Sequence, residues 1–416
     1  MTFLNEITSR YPQAISFAPG RPSEHLFAHD RIADYLASYI EYLRDTCGYS
    51  VDQVRTALFQ YGRTKGQIHE LIASTLANDE GIKAVPDALV VTVGAQEGML
   101  LTLRALFAGP ADVLLVSSPC YVGITGAARL LDIEVVPVPE ASDGPDASAV
   151  REAARRARAA AKRPRAFYVV PDCANPSGLS MPVHARERLL EVAGAEDLLI
   201  IEDNPYGFFS RDTVPRPTLK SLDRGRTVIY LGSFAKTCFP GARLGYVIAD
   251  QEVVGEDGTR GLLADELAKV KSMTTVNTPS LSQAVIGGML VTHGCRLRAA
   301  NTAAISFYRS NMQTLLGELE RHFPPPVRAR LGLRWNAPGG GFFVVMTVPF
   351  LADEKALERS ARDHGVLWTP MGSFYLDGGG DHQLRLSCSY VSAKQITEGV
   401  RCLADFIAAA SGSIET

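Results

Sequence analysis

Val228-Ile-Tyr-Leu-Gly-Ser-Phe-Ala-Lys-Thr-Cys-Phe-Pro-Gly-Ala-Arg-Leu-Gly-Tyr-Val-Ile-Ala249 reads as a strand, a polar loop and a second strand. Apolar runs at Val228–Leu231 and Leu244–Ala249 flank a segment punctuated by glycines and a proline. Within the loop, Lys236 stands three residues after Ser233 and seven before Arg243. An amine, a hydroxyl and a guanidinium are therefore held near one edge of a sheet. A solvated surface lysine is the plain alternative, and the rest of the chain decides between the two.

Upstream, the same kind of strand recurs. Leu89–Val93, Val113–Ser117, Glu134–Val138, Ala166–Val170 and Leu198–Glu202 are short runs rich in Val, Ile and Leu. Helical spacing fills Ala95–Phe107, Val122–Leu131, Ser148–Lys162 and Ala185–Ala193 between them. This alternation predicts an α/β fold with a mostly parallel sheet, seven-stranded once both runs around Lys236 are counted, with helices on its two faces. In such sheets ligands bind beyond the carboxyl ends of the strands.

Those ends are polar. Val93-Gly-Ala-Gln96 turns a strand into a helix, where free N–H groups can hold an anion. An ordinary β–α turn has the same sequence. Ser118-Pro-Cys-Tyr-Val122 follows the next strand, so Tyr121 either lies against a planar ligand or packs in the core. Pro171-Asp-Cys-Ala-Asn-Pro-Ser-Gly178 has the residues of a tight loop, and it also presents the Asn175 amide to the crevice. Leu198–Ile201 is strongly apolar and runs into Asp203, where a carboxylate is costly without a cationic partner. A protonated pyridine nitrogen would be such a partner, with Tyr206 in reach of a phenolate oxygen. With Lys236 able to form a Schiff base, and Ser233 and Arg243 able to hold a phosphate, the set points to pyridoxal phosphate.

Beyond Gly261 the pattern changes. Leu262–Val291 is broadly helical with a break near Asn277-Thr-Pro279, and a long amphipathic stretch follows at Leu297–His322. Strand-like segments at Leu333–Trp335 and Gly341–Val348, then helix, strand and helix, predict a smaller α+β domain. The expected division is an N-terminal segment, 1–45, packing on the small domain, a large cofactor-binding domain, 46–295, and a small domain, 296–416. Ser411–Thr416 is expected to be a frayed tail.

Composition narrows the function. A net charge of −3 without a dominant basic face argues against nucleic acid. No apolar run is long enough for a membrane span, and Met1-Thr-Phe-Leu-Asn-Glu lacks a signal-peptide pattern. Seven scattered cysteines without a CxxC pair indicate cytoplasmic thiols rather than disulfides or zinc. His25 and His29 have ligand-like spacing but no third ligand, so no metal is expected. Cys120, Cys173 and Cys238 read as packing residues near the site.

In their order, the Gly-x-Gln turn, the Asn-Pro-x-Gly loop, the Asp-x-x-Tyr pair and Ser-x-x-Lys with its following Arg resemble the fold type I aminotransferases, the aspartate aminotransferase superfamily. The likeness runs from about Ile15 to Ile407. It implies that Lys236 forms the internal aldimine and moves the proton between Cα and C4′. By the same likeness Asp203 pairs with the ring nitrogen, Asn175 and Tyr206 bond the ring's O3′, and Tyr121 stacks on the ring. Gly94, Ala95, Gln96, Ser233 and Arg243 would cradle the phosphate. Phe59-Gln-Tyr-Gly62 resembles the segment that crosses to a second subunit, so Tyr61 would reach the neighbour's phosphate in a homodimer. Arg385, in Leu384-Arg-Leu-Ser387, would grip the substrate carboxylate with its planar fork. Asn175 and Gly20 would border the substrate, and Arg21 either meets it near the entrance or forms a surface salt bridge.

Ile15-Ser-Phe-Ala-Pro-Gly-Arg-Pro22 and Gly339-Gly-Gly-Phe-Phe343 are similar to the 2-aminoadipate and aromatic aminotransferase subgroup. Ser9–Pro22 and Ser118–Gly126 are similar to the (S)-3,5-dihydroxyphenylglycine aminotransferases, which make arylglycines for peptide antibiotics. Two departures bear on substrate. Ser117-Ser118 replaces an acidic residue found in many relatives, and Cys173-Ala174 replaces bulkier pairs. The expected reaction moves an amino group between an amino acid and a 2-oxo acid, here an arylglyoxylate. The alternatives are a lyase or cyclase on a nonproteinogenic amino acid, and a regulatory or binding module built on the same fold.

Overall fold

The computed structural model describes residues 2–27, 29–210 and 215–412. Its main sheet runs, in spatial order, Leu89–Thr92, Gly245–Ile248, Val228–Ser233, Leu199–Asp203, Arg163–Val169, Asp112–Ser118, Glu134–Ala141 and Gly144–Pro145. All seven expected strands are present. The two-residue Gly144–Pro145 adds a short edge strand where the chain doubles back antiparallel on Glu140 and Ala141.

The strands from Val228–Ser233 to Glu134–Ala141 pair in parallel. Gly245–Ile248 is antiparallel to both its neighbours. The physical reason is the connection. No crossover helix separates Val228–Ser233 from Gly245–Ile248, so the chain can only turn back beside itself. The lysine loop is thereby fixed at the carboxyl end of Val228–Ser233. Gly245 sets its depth: a Cβ there would lie 2.6 Å from the Ala95 nitrogen, so only glycine lets this strand meet the start of the helix Gly94–Leu106.

A second, antiparallel sheet contains Arg334–Trp335, Phe343–Thr347, Gln383–Ser387 and Thr369–Pro370. It packs on Thr302–His322, Glu354–His364 and Ala393–Gly412 around Leu315, Trp368, Leu403 and Ile407. The long helix Thr302–His322 belongs to both cores. Ala304 and Tyr308 pack with the main sheet, whereas Met312, Leu315 and Leu319 pack in the smaller body.

The N-terminal segment divides, which corrects the expectation for residues 1–45. Ile15–Ser16 pairs in parallel with Val366–Leu367 of the smaller body. Ile32–Glu41 instead packs along Ser280–Thr292, with Tyr39 and Leu43 in the large body's core. Gly287 and Gly288 cut the notch for it: a Cβ on Gly287 would sit 2.7 Å from the Tyr39 ring, and one on Gly288 would strike the Tyr35 carbonyl.

Ala393–Gly412 stays helical to the last described residue, and residues 413–416 of the expected tail lie outside the described residues. Among the described residues, no helix is long and apolar enough to cross a membrane. No cluster of three or more His, Cys, Asp or Glu among them is placed to hold a metal.

Candidate active site

A cavity of about 740 Å³ opens at the carboxyl ends of the parallel strands, against the smaller sheet. All the expected site residues except Tyr61 line it.

Lys236 reaches it from the loop after Val228–Ser233, and its Nζ donates to the Gly20 carbonyl at 2.9 Å. Burial, reinforced by the positive Arg243 and Arg385, pushes its amine down to about 8. A neutral, nucleophilic amine is therefore accessible near neutral pH.

Asp203 ends its strand almost fully buried, 3% exposed. Its Oδ2 accepts a hydrogen bond from the Tyr168 hydroxyl at 2.7 Å, while Oδ1 is buried without a partner. Burial pushes the carboxyl up to about 6, opposed by the Tyr168 bond. Tyr206 lies edge-on to Phe342 and Phe343. Burial holds its phenol well above the usual range, and a hydrogen bond with Asn175 opposes the shift.

Arg385 comes from the smaller sheet. Its Nη1 donates to Asn175 Oδ1 at 2.5 Å, and its Nη2 to the Ala18 carbonyl at 2.9 Å and Thr369 Oγ1 at 3.3 Å. The guanidinium lies over the rings of Phe343 and Phe374, and its Nε is buried without a partner. Burial lowers it to about 10, so it remains a cation at neutral pH.

The opposite corner suits an anion. Gly94 takes φ +74° at the start of Gly94–Leu106, and a Cβ there would lie 2.7 Å from Arg243 Nη2. Arg243 itself adopts a left-handed φ of 48°, which only the surrounding packing makes tolerable. Ser233 closes the corner, its Oγ accepting from the Ala235 N–H at 3.2 Å. Gln96 is exposed and anchors its side chain on the Gly123 carbonyl at 2.8 Å. The first N–H groups of a helix lack intrahelical partners, so this turn can bind phosphate.

Tyr121 is half-buried along the wall, its phenol raised by burial. Arg21 is exposed at the rim, with its guanidinium 3.8 Å from the centre of the Tyr390 ring. Cys120, Cys173 and Cys238 are buried, as packing residues are. Tyr61 is not in the cavity and is 84% exposed.

Sequence reading missed Tyr168 and Thr369. Tyr168 is a lone hydroxyl inside the apolar run Ala166–Val170, and it pairs with Ile201 across the strands. Strand alternation puts Ile201 and Asp203 on one face, so the partnership is legible once strand order is known.

A lysine loop, a strand-end aspartate and an anion corner around one cavity of a parallel sheet define a fold type I enzyme. Residues 42–403 match the family Aminotransferase class I and II, and the chain belongs to it. It is a pyridoxal-phosphate-dependent aminotransferase, and its relatives favour transamination over the lyase alternative. The chain is 49% identical over 409 residues to (S)-3,5-dihydroxyphenylglycine transaminase of Amycolatopsis orientalis, covering 98% of this chain and 91% of that protein. It is 30% identical to 2-aminoadipate transaminase of Thermus thermophilus, covering 96% and 91%. Among solved structures it is similar to LysN, the alpha-aminoadipate aminotransferase of Thermus thermophilus complexed with N-(5'-phosphopyridoxyl)-L-leucine. That match has a TM-score of 0.81 and 28% identity, covering 99% of this chain and 96% of that one.

Proposed function

We propose that the enzyme transfers an amino group from an amino-acid donor to an arylglyoxylate, forming an arylglycine destined for a natural product such as a peptide antibiotic. The observation that carries this reading is the 49% identity with (S)-3,5-dihydroxyphenylglycine transaminase along 98% of the chain. The cavity supports it. An arylglyoxylate carries its ring directly on the keto carbon, and Arg385, which would take the carboxylate, lies over the rings of Phe343 and Phe374.

The residues fit pyridoxal phosphate. The buried, unpartnered Asp203 Oδ1 suits a protonated ring nitrogen, and the Gly94, Ala95, Gln96, Ser233 and Arg243 corner suits the phosphate. Tyr121 would lie along the ring, with Asn175 and Tyr206 bonding its phenolic oxygen. When bound, the cofactor supplies an aldehyde for amine exchange and an electron-withdrawing ring. Lys236 would hold the cofactor at rest and, once displaced by the substrate amine, move the proton at the substrate Cα. Its lowered affinity for protons suits that exchange. Arg385 would orient the carboxylate, and hence the Cα–H bond, toward Lys236.

The same reading makes the protein a homodimer in which Tyr61 reaches the neighbour's phosphate. Phe59 (71% exposed), Tyr61 (84%) and Met273 (85%) support this as large side chains left uncovered. Work in the cytoplasm completes the reading, supported by seven scattered cysteines without a CxxC pair.

The test offers 3,5-dihydroxyphenylglyoxylate, phenylpyruvate and 2-oxoadipate with a panel of amino donors, reading both products. Preferred turnover of the arylglyoxylate supports the proposal. Preferred turnover of 2-oxoadipate or phenylpyruvate overturns the substrate class.

A further inference from the structure

Glu97 lies one residue beyond the Gly-Ala-Gln turn, and its side chain folds back over the helix start. Its Oε2 accepts the Val93 N–H at 2.6 Å, capping the helix Gly94–Leu106 from within. A carboxylate there stabilises the helix start. It also brings a negative charge to the turn proposed to bind a phosphate. The conflict is met by Lys271, from the helix Leu263–Ser272. Lys271 Nζ donates to Glu97 Oε1 at 3.0 Å and Oε2 at 2.9 Å, and to Thr275 Oγ1 at 2.7 Å. Thr275 Oγ1 in turn donates to Glu97 Oε1 at 2.5 Å. The lysine side chain is 0% exposed and the glutamate 9%, so the pair is screened much less than a surface pair.

We propose that Glu97 and Lys271 are positioning residues for the cofactor's phosphate. Glu97 fixes the first turn by taking the Val93 N–H, leaving the next amides free, and Lys271 cancels the glutamate's charge so that an anion can settle beside it. The inference rests on the phosphate lying at the Gly94–Gln96 turn.

The test measures dissociation constants of pyridoxal phosphate and of pyridoxal, which lacks the phosphate, for the cofactor-free full-length protein. Lys271→Met should weaken pyridoxal phosphate binding about tenfold or more and leave pyridoxal nearly unchanged, because the unpaired carboxylate repels only the anion. The double variant Glu97→Gln/Lys271→Met removes both charges and should recover most of the lost phosphate preference. Loss of both ligands in equal measure in both variants would mean ordinary structural damage and overturns the proposal. So does an unchanged preference in Lys271→Met when Arg243→Leu lowers it. If Arg243→Leu also leaves the preference unchanged, the placement of the phosphate falls, and this proposal with it.

Discussion

Tyr168 and Asp203, on neighbouring strands, share a 2.7 Å hydrogen bond that occupies one carboxylate oxygen and leaves the other buried and unpartnered. The core supplies one partner and leaves the second place for a cationic ligand. Without that ligand the carboxylate is a liability.

That liability is measurable as a pH dependence. Burial lifts the Asp203 carboxyl from 3.8 to about 6 in the folded protein. Between those values the folded chain holds a proton that the unfolded chain has released, so this group's contribution to stability falls as pH rises. The full effect is about 3 kcal/mol. Cofactor-free Asp203→Asn should match wild type near pH 4 and exceed it above pH 6 in urea denaturation. A difference that does not change with pH would refute the assignment. Tyr168→Phe should raise the carboxyl further and weaken cofactor binding severalfold at neutral pH.

Lys236 makes the opposite demand. An amine at about 8 is roughly one-tenth neutral at pH 7, hundreds of times more than an ordinary lysine. The rate at which cofactor-free protein captures pyridoxal phosphate covalently should climb with pH and level off above about 8. Arg243→Leu removes a charge that lowers this amine, so the profile should move to higher pH. Lys236→Ala should lose the bound cofactor's visible absorbance and essentially all turnover.

Arg385→Lys keeps the charge and loses the fork. A single ammonium cannot reproduce the bonds to Asn175, Ala18 and Thr369 while also gripping a carboxylate. The expected loss in kcat/KM is about a hundredfold for amino and oxo acids alike. Steady-state kinetics with both substrate types check it, and a loss confined to one of them would count against the role.

Tyr61 tests the dimer. A Tyr61→Phe subunit and a Lys236→Ala subunit should each be impaired alone, yet a mixed dimer should regain activity. In that dimer the intact lysine receives its tyrosine from the other chain. Absence of complementation, in samples shown by sedimentation to contain mixed dimers, would place Tyr61 outside the neighbour's site.

Much of the architecture was legible because it is written locally. Apolar runs and helical spacing marked each main strand, and turn residues marked the loops that end them. The edge strand Gly144–Pro145 was not legible, since two residues carry no period. The packing of Ile32–Glu41 was missed because it depends on the glycine notch at Gly287 and Gly288, far away in sequence. Tyr168 and Lys271 were hidden for a related reason: a tyrosine in a strand and a lysine on a helix look ordinary until their neighbours are known.

By itself the sequence determined that a lysine would stand on a loop between two strands at the ligand-binding edge of an α/β sheet, because pattern and turn chemistry act over a few residues. Only the tertiary structure decided what surrounds that lysine. Gly245 meeting Ala95, Tyr168 meeting Asp203, Lys271 meeting Glu97 and Arg385 meeting Asn175 across 210 residues are all consequences of strand order and close packing. No local pattern encodes them, because each exists only when distant segments bury the same space.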